Sequence, residues 1–255
     1  MNALSLPGQR TVVLGGTGSV GEHMVRAHLR AGAEVIVPSR TEGRARSLRE
    51  DAVVSSAGSA LRLVVGDYTT FASARRSAEA ITADFGSVDN VVATLGSWWS
   101  GAPMWDVSED TWQRYFVDVS TAYAAAARAW LPLLPSGGSL QFVLGASGVV
   151  PVPGASIISA AQSGLVMLRR VIAEEAGTQR RVFSIVLGNL NLRRRPGSRP
   201  DFVHADTAAE VSVRLAAGTL PSAELVMRTP EQGAAVLARV GGDTAGATPR
   251  GEARQ

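Results

Sequence analysis

The residues with the clearest chemical meaning are glycines. Gly15-Gly16-Thr17-Gly18-Ser19-Val20-Gly21 directly follows an apolar run, Thr11 to Leu14, and opens a helix-forming stretch. Gly16, Gly18 and Gly21 have the spacing that lets backbone N–H groups approach a pyrophosphate at a helix N-terminus. The blander alternative is a tight turn in a fold that holds no ligand. A second signal is Ser39-Arg40, after the next apolar run. An acidic residue there would hold a ribose 2′-hydroxyl, whereas an arginine pairs with a 2′-phosphate, so NADP(H) is the expected cofactor. A solvated loop arginine is the competing reading.

Other chemistry-bearing residues are sparser. Ser97-Trp98-Trp99-Ser100-Gly101-Ala102-Pro103-Met104-Trp105 clusters tryptophans in a loop. Flat apolar rings with an N–H donor suit a bulky or ring-containing ligand, with Trp98 and Trp99 as candidate contacts; Trp105 and Trp112 equally suit packing of the next helix. Asn189 and Asn191 are candidate donors to a substrate or cofactor carbonyl. Arg193-Arg194-Arg195 could hold an acidic group or form a solvated basic loop. Ser147, Ser156, Ser159 and Ser163 have no histidine or carboxylate at nucleophile-activating spacing. His23 and His28 fall on a helix, and only His204 is expected near a cleft. No His/Asp/Glu cluster has ligand spacing, so no metal is expected. The chain has no cysteine, which removes disulfides, thiolate metal sites and a cysteine nucleophile and fits a reducing cytoplasm.

These residues are spaced by regular elements. Short, nearly continuous apolar runs recur at Thr11 to Leu14, Glu34 to Val37, Leu61 to Val65, Val88 to Leu95, Ser139 to Leu144 and Val182 to Leu187. Helical patterns separate them: Ser19 to Arg30, Glu42 to Ser55, Phe71 to Phe85, Ser108 to Leu131, Ser156 to Glu175 and Thr207 to Ala217. Ser108, ahead of Asp110 and Thr111, is a plausible N-cap. Alternation of this kind predicts an α/β, doubly wound Rossmann fold with a mainly parallel, about seven-stranded sheet flanked by helices. At 255 residues, 45% hydrophobic and 18% charged, one domain over residues 1–240 is expected, with a disordered tail at 241–255. The start of the chain lacks a secretory pattern. Ala122 to Leu134, the most apolar stretch, is broken by Arg128 and Pro132 and reads as a buried helix rather than a membrane span. A net charge of +3 with scattered arginines gives no nucleic-acid footprint.

From Thr11 to about Gly188 the sequence resembles the short-chain dehydrogenase/reductase family. In that family the glycine loop often reads Thr-Gly-Gly-x-Gly-Gly-Ile-Gly; here Leu14 and Ser19 depart from it. Asp67 matches an adenine-contacting aspartate, and Ala93-Thr94-Leu95-Gly96 stands for an Asn-Asn-Ala-Gly segment. Gly138-Ser139, Gly148, Pro153-Gly154, Ser159-Ala160 and Leu165 match without a gap. The resemblance implies cofactor contacts at Gly15, Thr17, Gly18, Ser19, Val20, Gly21, Ser39, Arg40, Asp67, Tyr68, Gly96, Gln162 and Gly188. In the same register the catalytic serine position is Gly145, the tyrosine Ile158, the lysine Gln162 and the asparagine Val119 or Ser120. All four functional types are replaced. In the family the tyrosine hydroxyl exchanges a proton with the substrate oxygen, the lysine lowers its pKa and the serine bonds the carbonyl.

Loss of a positioned acid or base removes roughly 10²–10⁴-fold in rate, so ordinary carbonyl reduction is expected to be severely impaired. Three readings stay open. The chain is an NADP(H) enzyme that takes its proton from water or substrate; or a non-redox cyclase, dehydratase or isomerase on a borrowed scaffold; or a non-catalytic NADP(H)-binding sensor or assembly protein. A small-molecule ligand is expected in each, with no nucleic-acid or membrane partner. Family members usually pair through helices, and Ala124 to Ala127 would permit close packing, so a homodimer or homotetramer is expected.

Overall fold

The structure is a computed structural model and describes residues 5–50, 54, 58–195 and 197–242. Seven strands, β1 (Arg10–Leu14), β2 (Glu34–Ser39), β3 (Leu61–Val65), β4 (Asn90–Ala93), β5 (Ser139–Gly145), β6 (Arg181–Leu187) and β9 (Glu224–Met227), form one sheet. Their order is β3-β2-β1-β4-β5-β6-β9, and every pairing is parallel. β7 (Leu190–Asn191) and β8 (Val203–His204) make a separate two-stranded ribbon. The helices are α1 (Gly21–Arg30), α2 (Glu42–Arg49), α3 (Phe71–Phe85), α4 (Glu109–Trp112), α5 (Asp118–Trp130), α6 (Ser156–Ala176), α7 (Ala205–Ala217) and α8 (Pro230–Gly242).

The strands are apolar on both faces because both faces are covered. Val12, Leu14, Ile36 and Phe142 join Tyr123 and Trp130 in one core. Val13, Val35, Val37 and Ile185 join Met24 and Leu215 in the other. Strand order runs outward in both directions from β1 and β4, and a crevice opens beyond the carboxyl ends of those two strands.

Several elements differ from the sequence expectation. The helix expected from Ser108 to Leu131 is divided: Ser108 Oγ caps α4 by accepting from Thr111 N at 3.2 Å, and Gln113–Val117 winds as a π turn before α5. α2 ends at Arg49; of the rest of the stretch expected up to Ser55, Glu50 is in a turn, Val54 is helical and the other residues lie outside the described ones. The edge strand β9 and α8 were not read from the sequence. α8 continues through Gly242, so the segment expected as a tail from 241 begins in helix; 243–255 lie outside the described residues.

A chain of buried polar groups crosses beneath the sheet. His28 is fully buried, with Nδ1 3.1 Å from Thr11 Oγ1 and Nε2 3.0 Å from Ser212 Oγ. Ser212 Oγ donates to Gln141 Oε1, Gln141 Nε2 to Ser139 Oγ, and Ser139 Oγ to Asn90 Oδ1. With Ser212 donating onward, the ring donates from Nε2 and accepts at Nδ1, which is the neutral tautomer. Burial holds the His28 pKa down at about 3.

Candidate functional site

The glycine loop turns from β1 into α1 at the crevice. Gly15 has φ +78°, and a side chain there would collide with the Thr94 carbonyl. A Cβ at Gly21 would strike the Gly15 carbonyl, and one at Gly16 would stand 2.8 Å from Val37 Cγ1. Glycine is therefore required for the loop to close against β4 and for α1 to start so near the strand. No side chain caps α1.

Two cavities meet here. The larger, about 750 Å³, is walled by Gly15, Thr17, Gly18, Arg40, Arg44 and Tyr68 together with Thr69, Thr70 and the start of α5. The smaller, about 480 Å³, is walled by Val20, Trp98, Val143 to Ser147, Val150, Val152, Ile158, Gln162, Leu187 to Leu190 and Arg228. Both include Thr94, Leu95, Gly96 and Ser97, so they adjoin across the end of β4. Arg40 and Arg44 give the far end of the larger cavity positive charge. Tyr68 on the same wall is buried, and that burial raises its pKa although both cations act to lower it.

Most expected cofactor contacts reach these walls. Gly15, Thr17, Gly18, Arg40, Tyr68 and Gly96 face the larger cavity, and Val20, Gly96, Gln162 and Gly188 the smaller. Ser19, Gly21, Ser39 and Asp67 are on neither wall. Ser39 Oγ donates to Thr41 O at 2.8 Å, and Asp67 accepts from Thr69 N at 3.1 Å and Thr69 Oγ1 at 2.8 Å. On the substrate side Trp98 and Asn189 line the smaller cavity. Trp99 instead packs against Tyr115, with ring centroids 6.0 Å apart, and Trp112 stacks on Phe116 at 4.2 Å. Trp105 is 84% exposed.

Asn191 has a different task from the one expected. Its Nδ2 donates to the carbonyls of Arg199 and Phe202, and its Oδ1 accepts from Arg199 N at 2.9 Å, closing the 191–202 loop on itself. Arg193 and Arg194 pair with a carboxylate of the protein itself. They reach Glu22 Oε2 at 3.2 Å and 2.7 Å, where that carboxylate is buried in the first turn of α1. His23, expected to be remote from the site, bonds Asp206 through Nδ1 at 2.7 Å and lies 3.4 Å from Arg193 N through Nε2.

The positions matched to catalytic residues come together in space. Gly145 ends β5, and Ile158 and Gln162 occupy the first two turns of α6, all on the smaller cavity. Gln162 Oε1 accepts from Gly145 N at 2.9 Å. Val119 packs under Gly96, and Ser120 is on neither wall. The nearby Tyr123 offers no proton: its hydroxyl donates to Val143 O and accepts from Leu95 N, and burial pushes its pKa above the usual phenol value. Sequence reasoning did not find Arg44 or Thr94, and weighed Ser147 only as a nucleophile. Arg44 was findable, since it falls in the first turn of α2, which begins two residues after Arg40.

A family model described as enoyl-(acyl carrier protein) reductase matches residues 15–216. The cis-2,3-dihydrobiphenyl-2,3-diol dehydrogenase of Paraburkholderia xenovorans strain LB400 is 28% identical over 254 residues, covering 96% of this chain and 88% of the relative. The cis-toluene dihydrodiol dehydrogenase of Pseudomonas putida F1 is 27% identical over 195 residues, covering 73% of this chain and 68% of the relative. Among solved structures, a Pseudomonas aeruginosa RhlG/NADP active-site complex matches with TM-score 0.79 at 20% identity, covering 91% of this chain and 99% of that one. A blue fluorescent protein from a metagenomic library, in complex with NADPH, matches with TM-score 0.77 at 21% identity, covering 89% and 98%. These structural likenesses bear on the fold. With the glycine loop, the strand order and the family match over most of its length, the chain belongs to the short-chain dehydrogenase/reductase family of oxidoreductases.

Proposed function

We propose that this chain binds NADP(H) and, beside it, a bulky apolar or ring-containing small molecule, and that the proton-transfer residues of its family are replaced. The observation that carries the reading is the pair of adjoining cavities, one built on a glycine loop with two arginines at its far end, the other mostly apolar and walled by Gly145, Ile158 and Gln162. The cradle fits a dinucleotide, because Gly15 and Gly21 stand where any Cβ would strike backbone, which keeps the loop tight enough for its N–H groups to approach a pyrophosphate. Arg40 and Arg44 would hold the 2′-phosphate by charge-assisted hydrogen bonds. Gln162 and Asn189 offer neutral amides toward a ribose or carboxamide. When bound, the nicotinamide supplies hydride-transfer chemistry.

The protein's part is orientation and exclusion of water. No lysine occurs anywhere in the sequence, since all 25 Lys+Arg residues are arginine, and Ile158 carries no exchangeable proton. The proton that accompanies a hydride is therefore left to water or to the substrate. Ring-containing ligands are supported by the apolar walls and by relatives named for biphenyl and toluene dihydrodiols. The absence of a protonic group at 145, 158 and 162 favours a second reading, a protein that binds both ligands without turnover.

Calorimetric titration with NADPH and NADH tests the proposal. NADPH should bind at micromolar strength, and Arg40→Ala should lower its affinity about tenfold while barely changing NADH. If neither nucleotide binds, the proposal fails; binding without NADPH consumption in the presence of ring ketones selects the second reading. Met167 and Val171, one turn apart on α6 and 54% and 46% exposed, suit a contact between copies. We accordingly propose a homodimer or homotetramer, which light scattering measures. For a cysteine-free chain of this family we propose the cytoplasm as its location.

A further inference from the structure

The smaller cavity follows the carboxyl ends of four neighbouring strands, β4, β5, β6 and β9. Trp98, beyond β4, stands at one end of it, and Arg228, the first residue after β9, at the other. Strands in a sheet lie about 4.8 Å apart, so the ends of β4 and β9 are separated by roughly 14 Å. Among the described residues on this wall, Arg228 carries the only charge. Its backbone is fixed. Gly188 N donates to Met227 O at 2.9 Å, a Cβ on Gly188 would lie 2.6 Å from Arg228 O, and Arg228 N donates to Gln232 Oε1 at 2.8 Å. Its side chain is exposed and has no hydrogen-bond or acidic partner among the described residues. By contrast, Arg193 and Arg194 share Glu22, and Arg169 and Arg170 share Glu224. Glu231, three residues after Arg228, bonds Thr229 instead.

We propose that the ring-containing ligand carries an acidic group, and that Arg228 receives it at the β9 end of the cavity while the apolar body lies toward Ile158 and Trp98. The inference rests on the apolar-ligand reading above. A cation beside an otherwise uncharged, mostly apolar wall is screened less than one in open water, so it attracts an entering anion more strongly. The planar fork of a guanidinium also matches the two oxygens of a carboxylate. Arg228 thereby determines specificity, selecting an acid over a neutral molecule of the same shape. The glycine-loop residues Gly15, Thr17 and Gly18 face the larger cavity, where Arg228 has no place, so the anion assigned to it is the ligand's and not a phosphate of the cofactor.

Calorimetric titration of the NADPH-saturated protein with 2-naphthoate and 2-naphthamide, alike in shape and different in charge, tests this. 2-Naphthoate should bind about tenfold more tightly than the amide, and added salt should narrow the difference. Arg228→Ala should bring the two affinities together by weakening 2-naphthoate alone; an unchanged affinity for 2-naphthamide shows that the cavity is intact. Equal affinities in the wild type, or a preference that survives the substitution, overturns the acid site and leaves the apolar-ligand reading standing. A fall in NADPH affinity in Arg228→Ala assigns the guanidinium to a cofactor phosphate and likewise overturns the acid site alone. Binding of neither naphthalene derivative overturns both.

Discussion

The two halves of the crevice have met different constraints. At the glycine loop the residue types demanded by backbone geometry are all present: Gly15, Gly16 and Gly21 stand where no Cβ fits, and the departures Leu14 and Ser19 fall elsewhere. Across the end of β4, the positions that we propose correspond to the family's proton-transfer residues hold Gly145, Ile158 and Gln162, and β5 and α6 close a well-formed cavity around them. Holding a dinucleotide depends on backbone approach, which tolerates little. Moving a proton depends on three side chains, which can change while the scaffold stays intact.

The strongest way to break this contrast is to restore the missing chemistry. A Gly145→Ser/Ile158→Tyr/Gln162→Lys variant should raise NADPH-dependent reduction of a ring ketone by roughly 10²-fold or more, followed as NADPH consumption. No gain, with NADPH still bound, would mean that the cavity and the nicotinamide are not aligned. A smaller effect sharpens the other side: Gly21→Ala should weaken NADPH binding about 100-fold, because the new methyl group meets the Gly15 carbonyl and displaces the loop. Retained affinity in that variant would refute the steric account of the cradle.

The smallest effect comes from His28, whose polar chain runs through the starts of β1, β4 and β5, away from the crevice. Its folded pKa of about 3 is below the unfolded value of 6.5, so the unfolded chain takes up the proton first. Its contribution is complete above pH 6.5 and is lost as pH falls toward 3, at up to about 1.4 kcal/mol per pH unit. Urea unfolding between pH 7 and about pH 4 should show this slope, and His28→Gln should flatten it. An unchanged slope would assign the acid sensitivity to carboxylates.

The legible parts of the molecule are those set by local rules. The glycine loop, Arg40 and six of the sheet strands follow from spacing, burial pattern and backbone geometry. β9 escaped notice because it is four residues long, at the sheet edge, and only alternately buried. The π turn at Gln113–Val117 has no compositional marker. The protein contacts of Arg193 and Arg194 were not legible because their partner is settled in three dimensions: Glu22 is 171 residues from Arg193 in the chain.

The bond from Gly145 N–H to the Gln162 carboxamide also governs the order in which this site can change. Gln162→Lys alone removes the acceptor and strands a partly buried N–H, at a cost of about 1 kcal/mol, while Ile158 still offers nothing for the amine to act on. Ile158→Tyr alone introduces a phenol with no lysine beside it to lower its pKa. On the proposed reading of these positions, neither first step supplies a tyrosine–lysine pair, and the first of them destabilises the wall. If these positions have lost proton transfer as proposed, redesign toward it must move at least two of them at once.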